Sequence, residues 1–139
     1  MRSWLLALWV VIVPLAVRAG GADDPARFDG DWTTTVSCPD SDGALGYVFD
    51  VPTLVKAGVL HGERMKPGEA GYLVLDGQIG ADGHAELIAK GLVGAAPFAV
   101  GARPAGTGYG YHVTAQFDGA HGTGSRVEGR RCDLTFVRR

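Results

Sequence analysis

The chain has 139 residues, a formal charge of −2 at pH 7, 22 glycines and two cysteines. That length predicts one domain, and a balance tilted towards acid excludes a basic nucleic-acid surface as its organising feature. Asparagine is absent, so there is no N-glycosylation sequon, and tight turns fall to Asp-Gly and Pro-Gly pairs.

Arg2 precedes an apolar run over 4–17 that is too short for a comfortable membrane span. The stretch Val17-Arg18-Ala19 ends on the small residue a signal peptidase reads. Residues 1–19 are therefore read as a cleaved signal peptide, with Ala22 as a second candidate site. The product is expected in the periplasm or secreted, with no stable membrane insertion after cleavage. Residues 20–27 are small, charged and proline-bearing and read as a flexible leader; 28–139 form the domain.

Strand patterns then follow one another. Trp32, Thr34, Val36 and Cys38 share one face of a β-branched stretch. Pro39 and Asp42-Gly43 mark a loop. Over 47–55, Tyr47, Phe49, Val51 and Val55 line one face and Pro52 the other, which predicts an edge, a bulge or a bend there. Further strands are expected over 59–65, 72–79 and 85–92, separated by Lys56-Ala57-Gly58, Pro67-Gly68 and Ala81-Asp82-Gly83. Val59-Leu60-His61-Gly62 is echoed by Val74-Leu75-Asp76-Gly77, the spacing of a meander. Residues 94–107 are ambiguous: Phe98-Ala99-Val100 suits a short strand, and its alanine-rich flanks suit a brief helix. Tyr109, Tyr111, Val113, Ala115 and Phe117 line a clear strand. Glu128-Gly129 is either a bulge in one long strand or a turn between two short ones. Finally, 132–137 alternates strictly, with Cys132, Leu134 and Phe136 on one face.

No window suits an amphipathic helix, so the class is all-β. Two cysteines in an exported chain read as one disulfide. Cys38 and Cys132 lie on the first and last strands, so pairing them brings those strands together. Such a link fits an antiparallel up-and-down β-barrel of about eight strands, which places its first and last strands side by side. Closing so long a loop is worth roughly 4–5 kcal/mol on the chain-entropy account.

Gly30-Asp31-Trp32 resembles the Gly-x-Trp signature of lipocalins and avidin-like barrels. The chain is also similar to small exported bacterial proteins with a Phe-Asp-Gly-x-Trp start and a Gly-Arg-x-Cys-x-Leu-x-Phe end, here 28–32 and 129–136. The resemblance implies that Trp32 plugs one barrel end, with Arg130 or Arg131 from the last strand packed over it by cation–π contact. It does not carry a biotin site over. That site is aromatic-walled, and Trp32 is the only tryptophan beyond the signal peptide.

Other constellations carry less chemistry. His61-x-Glu63 and His84-x-Glu86 each put two ligand types on one strand face, but a zinc site needs three or four to converge. They are read as solvated outer faces, with no metal and no cofactor. Ser37, Ser41 and Ser125 lie in no nucleophile elbow. The cluster Arg126, Arg130, Arg131, Arg138 and Arg139 reads as a protected edge and solvated tail, with a face for an acidic partner or a membrane surface as the alternative. Small inner-face residues, Gly77, Ala85, Ala89, Gly91 and Ala115, suggest room for a ligand, with Tyr47, Tyr109 and Tyr111 at its mouth. Phe49, Leu73, Leu75, Leu87 and Phe117 suggest instead a filled interior. The expected function is non-enzymatic binding of a small, partly apolar molecule. The alternative is a protein partner, as in a hydrolase inhibitor acting through the loops at 39–44 or 118–122.

Overall fold

The structure, a computed structural model, describes Pro14 and residues 24–139. The expected signal cleavage and the first part of the leader therefore lie outside the described residues. The end of the leader is not irregular: Pro25–Phe28 form a 3-10 turn, opened by the Asp24 carboxylate, which accepts from the Ala26 N–H. Phe28 from this turn is fully buried.

Eight antiparallel strands follow: β1 (Gly30–Cys38), β2 (Tyr47–Lys56), β3 (Val59–Arg64), β4 (Leu73–Ile79), β5 (His84–Leu92), β6 (Gly108–Asp118), β7 (His121–Arg126) and β8 (Asp133–Arg138). They close in chain order, each paired with the next and β8 with β1. No helix among the described residues is long and apolar enough to cross a membrane. The Phe98 region is a 3-10 turn over Ala96–Phe98 rather than a strand. Glu128-Gly129 belongs to a turn between β7 and β8, and Gly129 takes φ 75° there, a value glycine adopts without steric cost.

The period-two pattern sets what is buried. Along β1 the buried side chains are Trp32, Thr34, Val36 and Cys38; along β6 they are Tyr111, Val113, Ala115 and Phe117. The outward face of β5 carries His84, Glu86 and Lys90. The inward hydroxyls of Thr34 and Thr53 satisfy one another at 2.7 Å. Thr53 donates onward to the Val51 carbonyl at 3.0 Å, so Thr34 is the donor in the pair.

Cys38 and Cys132 form the expected disulfide across β1 and the start of β8, 94 residues apart in sequence. Pro52 lies one residue beyond the β2–β3 ladder, which ends at Thr53–Gly62, so its missing N–H leaves no gap between those strands. From that point β2 and β3 part.

The small inner residues make room for their neighbours. A Cβ on Gly77 would fall 2.4 Å from Leu87 Cδ2, directly across the β4–β5 ladder. One on Gly122 would fall 2.9 Å from the Phe117 ring. Leu87, Phe117 and Phe136 thus fill this part of the barrel, and their bulk is accommodated by the glycines opposite.

Candidate functional site

The two barrel ends differ. At one end Trp32 is 1 % exposed, and its indole N–H donates to the Phe28 carbonyl at 2.8 Å. Phe117 meets it edge-on at 5.4 Å, and Phe28 and Phe136 pack on Phe117. The Asp29 carboxylate accepts from the Ala57 and Gly58 N–H groups at 2.8 and 3.0 Å, capping the β2–β3 turn. The Phe-Asp-Gly-x-Trp start is therefore a closure: Phe28 supplies bulk and an acceptor, Asp29 a turn cap and Trp32 the plug.

The cation over the Trp32 ring is Arg138, at 5.1 Å, in place of the expected Arg130 or Arg131. The antiparallel seam explains the correction. Trp32 near the start of β1 pairs with Arg138 at the end of β8, whereas 130 and 131 precede β8 and sit at the opposite end. The signal was available in the sequence. Once Cys38 faces Cys132, each step back along β1 is a step forward along β8, and six steps reach Trp32 and Arg138.

At that opposite end is a cavity of about 780 Å³. It lies among the segments that join β1 to β2, β5 to β6 and β7 to β8. Tyr47, Phe49, Tyr109 and Phe98 supply aromatic wall, and Leu92 and Val93 aliphatic wall. Tyr47 stacks on Phe49 with centroids 5.6 Å apart, and Tyr109 stacks on Tyr111 at 6.1 Å. Of the three tyrosines expected at a mouth, Tyr47 and Tyr109 line the cavity, and Tyr111 supports Tyr109 from a buried position. Burial, and then the neighbouring Tyr47, push the Tyr109 hydroxyl up to about 12 against the opposing pull of Arg126 and Arg64. Burial raises Tyr111 as well. Both hydroxyls stay protonated and neutral at physiological pH.

Arg130 organises this end. Its guanidinium lies 5.1 Å from the Tyr47 ring centroid and donates to the carbonyls of Pro39, Leu45 and Phe98 at 2.6, 3.2 and 2.9 Å. One side chain from the β7–β8 turn thus holds the β1–β2 and β5–β6 loops. Arg131 is exposed and pairs with Asp133 at 3.4 Å.

Three further arginines line the cavity: Arg103 from the β5–β6 loop, and Arg64 and Arg126 from strands. Arg64 shares inward parity with Leu60 and Gly62 on β3, and Arg126 with Gly122 and Gly124 on β7. Arg64 stacks over Phe49 at 4.4 Å, where β2 and β3 have parted, and donates to the Gly71 carbonyl at 3.0 Å. Arg126 stacks over Tyr111 at 4.2 Å and donates to the Glu128 carbonyl at 2.5 Å. Glu128 is held in turn by the His112 N–H at 2.9 Å and by the His112 ring. Those two bonds, the backbone one first, keep its carboxyl below the usual range. Arg126 thus faces the cavity and not a basic edge, tail or partner face, and Arg64, which no sequence motif marks, joins it. Counting parity from Leu60 and Gly122 identifies both.

The His-x-Glu pairs are on the outer surface and apart, on β3 and β5. His61 bonds Asp76 at 2.6 Å and meets Glu63 at 3.4 Å, and His84 bonds Glu86 at 2.8 Å. Among the described residues no three His, Cys, Asp or Glu side chains are grouped to hold a metal. The hydrogen bond to Asp76 raises the His61 pKa above its ordinary 6.5, desolvation opposing and Glu63 adding. A raised folded-state pKa gives a stabilisation fully present below the unfolded value and lost as pH rises through the folded one. An NMR titration should place the His61 midpoint above 6.5, and Asp76→Asn should lower it. A wild-type midpoint at or below the ordinary value contradicts this.

Fold and site together define a closed, eight-stranded up-and-down barrel, plugged at one end and hollow at the other. No protein-family model, no curated protein and no solved structure matches the chain.

Proposed function

We propose that this chain is an exported binding protein that holds a small, partly apolar molecule in the hollow end of its barrel, and that it acts by binding and not by catalysis. The observation that carries this is the aromatic-walled cavity of about 780 Å³ opposite the Trp32 plug. Its size falls in the range of small-ligand sites, and it is walled mainly by apolar side chains with a few polar groups. The polar outward strand faces support a barrel dissolved in water. The apolar run after Arg2 and the buried disulfide support an oxidising compartment, periplasmic or extracellular. The Gly-x-Trp closure supports a lipocalin- or avidin-like relationship.

A fluorescence titration with N-phenyl-1-naphthylamine, a neutral apolar probe, tests the reading. The oxidised protein is expected to bind it, and Ala99→Trp to weaken binding about tenfold or more by filling the cavity from the β5–β6 loop. No binding to the wild type overturns the reading. A second reading has its own support. Leu45, Val48 and Val127 stand exposed near the same end, Val48 by 67 %, and an apolar rim of this kind suits docking to a protein partner such as a hydrolase. A docking rim would tolerate a filled cavity and respond to Val48→Glu.

A further inference from the structure

We propose that the ligand of this cavity is an amphipathic organic anion, its oxyanion head held by Arg64 and Arg126 and its apolar body by the Tyr47, Phe49 and Tyr109 wall. The proposal rests on the cavity-binding reading above and deepens it.

The first argument is charge. The chain as a whole is acidic, with a formal charge of −2. Its cavity is not: among the described residues Arg64, Arg103, Arg126 and Arg130 line it against a single carboxylate, Asp42. None of Arg64, Arg126 and Arg130 joins an ion pair among the described residues. Inward cations without counter-ions are costly in a barrel, because partial desolvation penalises them and no Coulomb attraction offsets it. An anionic ligand supplies that attraction.

The second argument is donor supply. Arg130 is 8 % exposed, and its terminal nitrogens serve three loop carbonyls, so it contributes charge and architecture. Its Nε is buried with no hydrogen-bond partner among the described residues. Arg64 and Arg126 each give one bond to a backbone carbonyl. Guanidinium has five N–H donors in a fixed fork, so each retains several for a carboxylate, sulfonate or phosphate oxygen pair.

The third argument is orientation. Each guanidinium lies on an aromatic face, Arg64 on Phe49 and Arg126 on Tyr111. Stacking fixes the plane of the fork and reduces the entropy lost when it grips an oxyanion. Both arginines line the cavity with Tyr109, and Arg126 lies on the Tyr111 ring that stacks against Tyr109, so the Tyr109 hydroxyl shares their region. As a neutral donor, that hydroxyl can add a hydrogen bond to the same head. The rings beside the arginines match an aromatic or aliphatic body, which is what separates this pocket from a site for free inorganic phosphate.

The test compares two probes with one body. 1-Anilinonaphthalene-8-sulfonate is N-phenyl-1-naphthylamine carrying a sulfonate. The oxidised full chain is expected to bind the sulfonate at least about tenfold more tightly than the neutral probe at low salt, and to lose that preference as salt rises. Arg64→Gln with Arg126→Gln should abolish the preference, with circular dichroism against urea reporting that the variant is folded. Arg64→Lys with Arg126→Lys should retain only part of it, because the charge remains but the stacked, bidentate fork is lost. Equal affinity for the two probes in the wild type overturns the anion assignment and leaves the cavity reading standing. Binding of neither probe overturns the cavity reading itself. A preference that survives both glutamines overturns the assignment of the head to Arg64 and Arg126.

Discussion

Replacing Cys38 and Cys132 together by serine is expected to lower the unfolding free energy by roughly 2–5 kcal/mol. Domains of this size hold about 5–15 kcal/mol in total, so the loss is a large share. The reason is topological. Seven of the eight seams join strands consecutive in sequence, and each closes through a short or moderate loop. The eighth joins β1 to β8, and its ladder runs from Trp32–Arg138 to Ser37–Asp133. Without the covalent link that seam is closed only by bringing the chain ends together, at the full loop-closure entropy. The disulfide sits immediately beyond Ser37–Asp133, buried at both cysteines. Arg130, two residues before Cys132, clamps the loops around the cavity, so the seam and the site are mechanically linked. Urea unfolding with and without reductant measures the effect. Hydrogen exchange should show protection lost first at β1, β8 and the Arg130-bound loops. A double-serine variant within about 0.5 kcal/mol of wild type would show that the seam holds without its staple.

Trp32→Ala is expected to cost about 3–5 kcal/mol, the range for emptying a large buried aromatic site. Three interactions go together: the edge-on contact with Phe117, the indole bond to the Phe28 carbonyl and the Arg138 guanidinium over the ring. The pocket cannot collapse easily, because Phe117 is already wedged against Gly122 and Phe136. Trp32→Phe should cost less, keeping bulk while leaving the Phe28 carbonyl without the indole donor. Circular dichroism against urea is the suitable readout, since Trp32 is the sole tryptophan of the barrel and its removal erases the fluorescence signal. A loss under about 1 kcal/mol would mean that Trp32 is not the closure. Because the plug is at the end opposite the cavity, probe affinity in Trp32→Phe should stay near wild type.

Much of this fold is legible along the chain because β-structure with one wet face writes its period into the sequence. The alternation through Trp32, Thr34, Val36 and Cys38, and again through Cys132, Leu134 and Phe136, identifies strands, inner faces and seam in one step. The closure register follows by counting from the cysteines, and counted through it names Arg138. Strand parity likewise contains Arg64 and Arg126, for parity depends only on position along one strand.

The tertiary structure alone decides which end is hollow. Gly77, Ala85, Ala89 and Ala115 are small, yet whether small residues leave space depends on what stands across from them. Here Leu87, Phe117 and their neighbours occupy it. It decides too that Arg130 reaches carbonyls at Pro39, Leu45 and Phe98, from 32 to 91 residues away. That Arg64 and Arg126 have no carboxylate partner among the described residues is equally a fact of three dimensions. Local sequence sets period and parity, because these follow from backbone geometry over a few residues. Cavities and unpaired charges arise from what distant segments bring, or fail to bring, to one place.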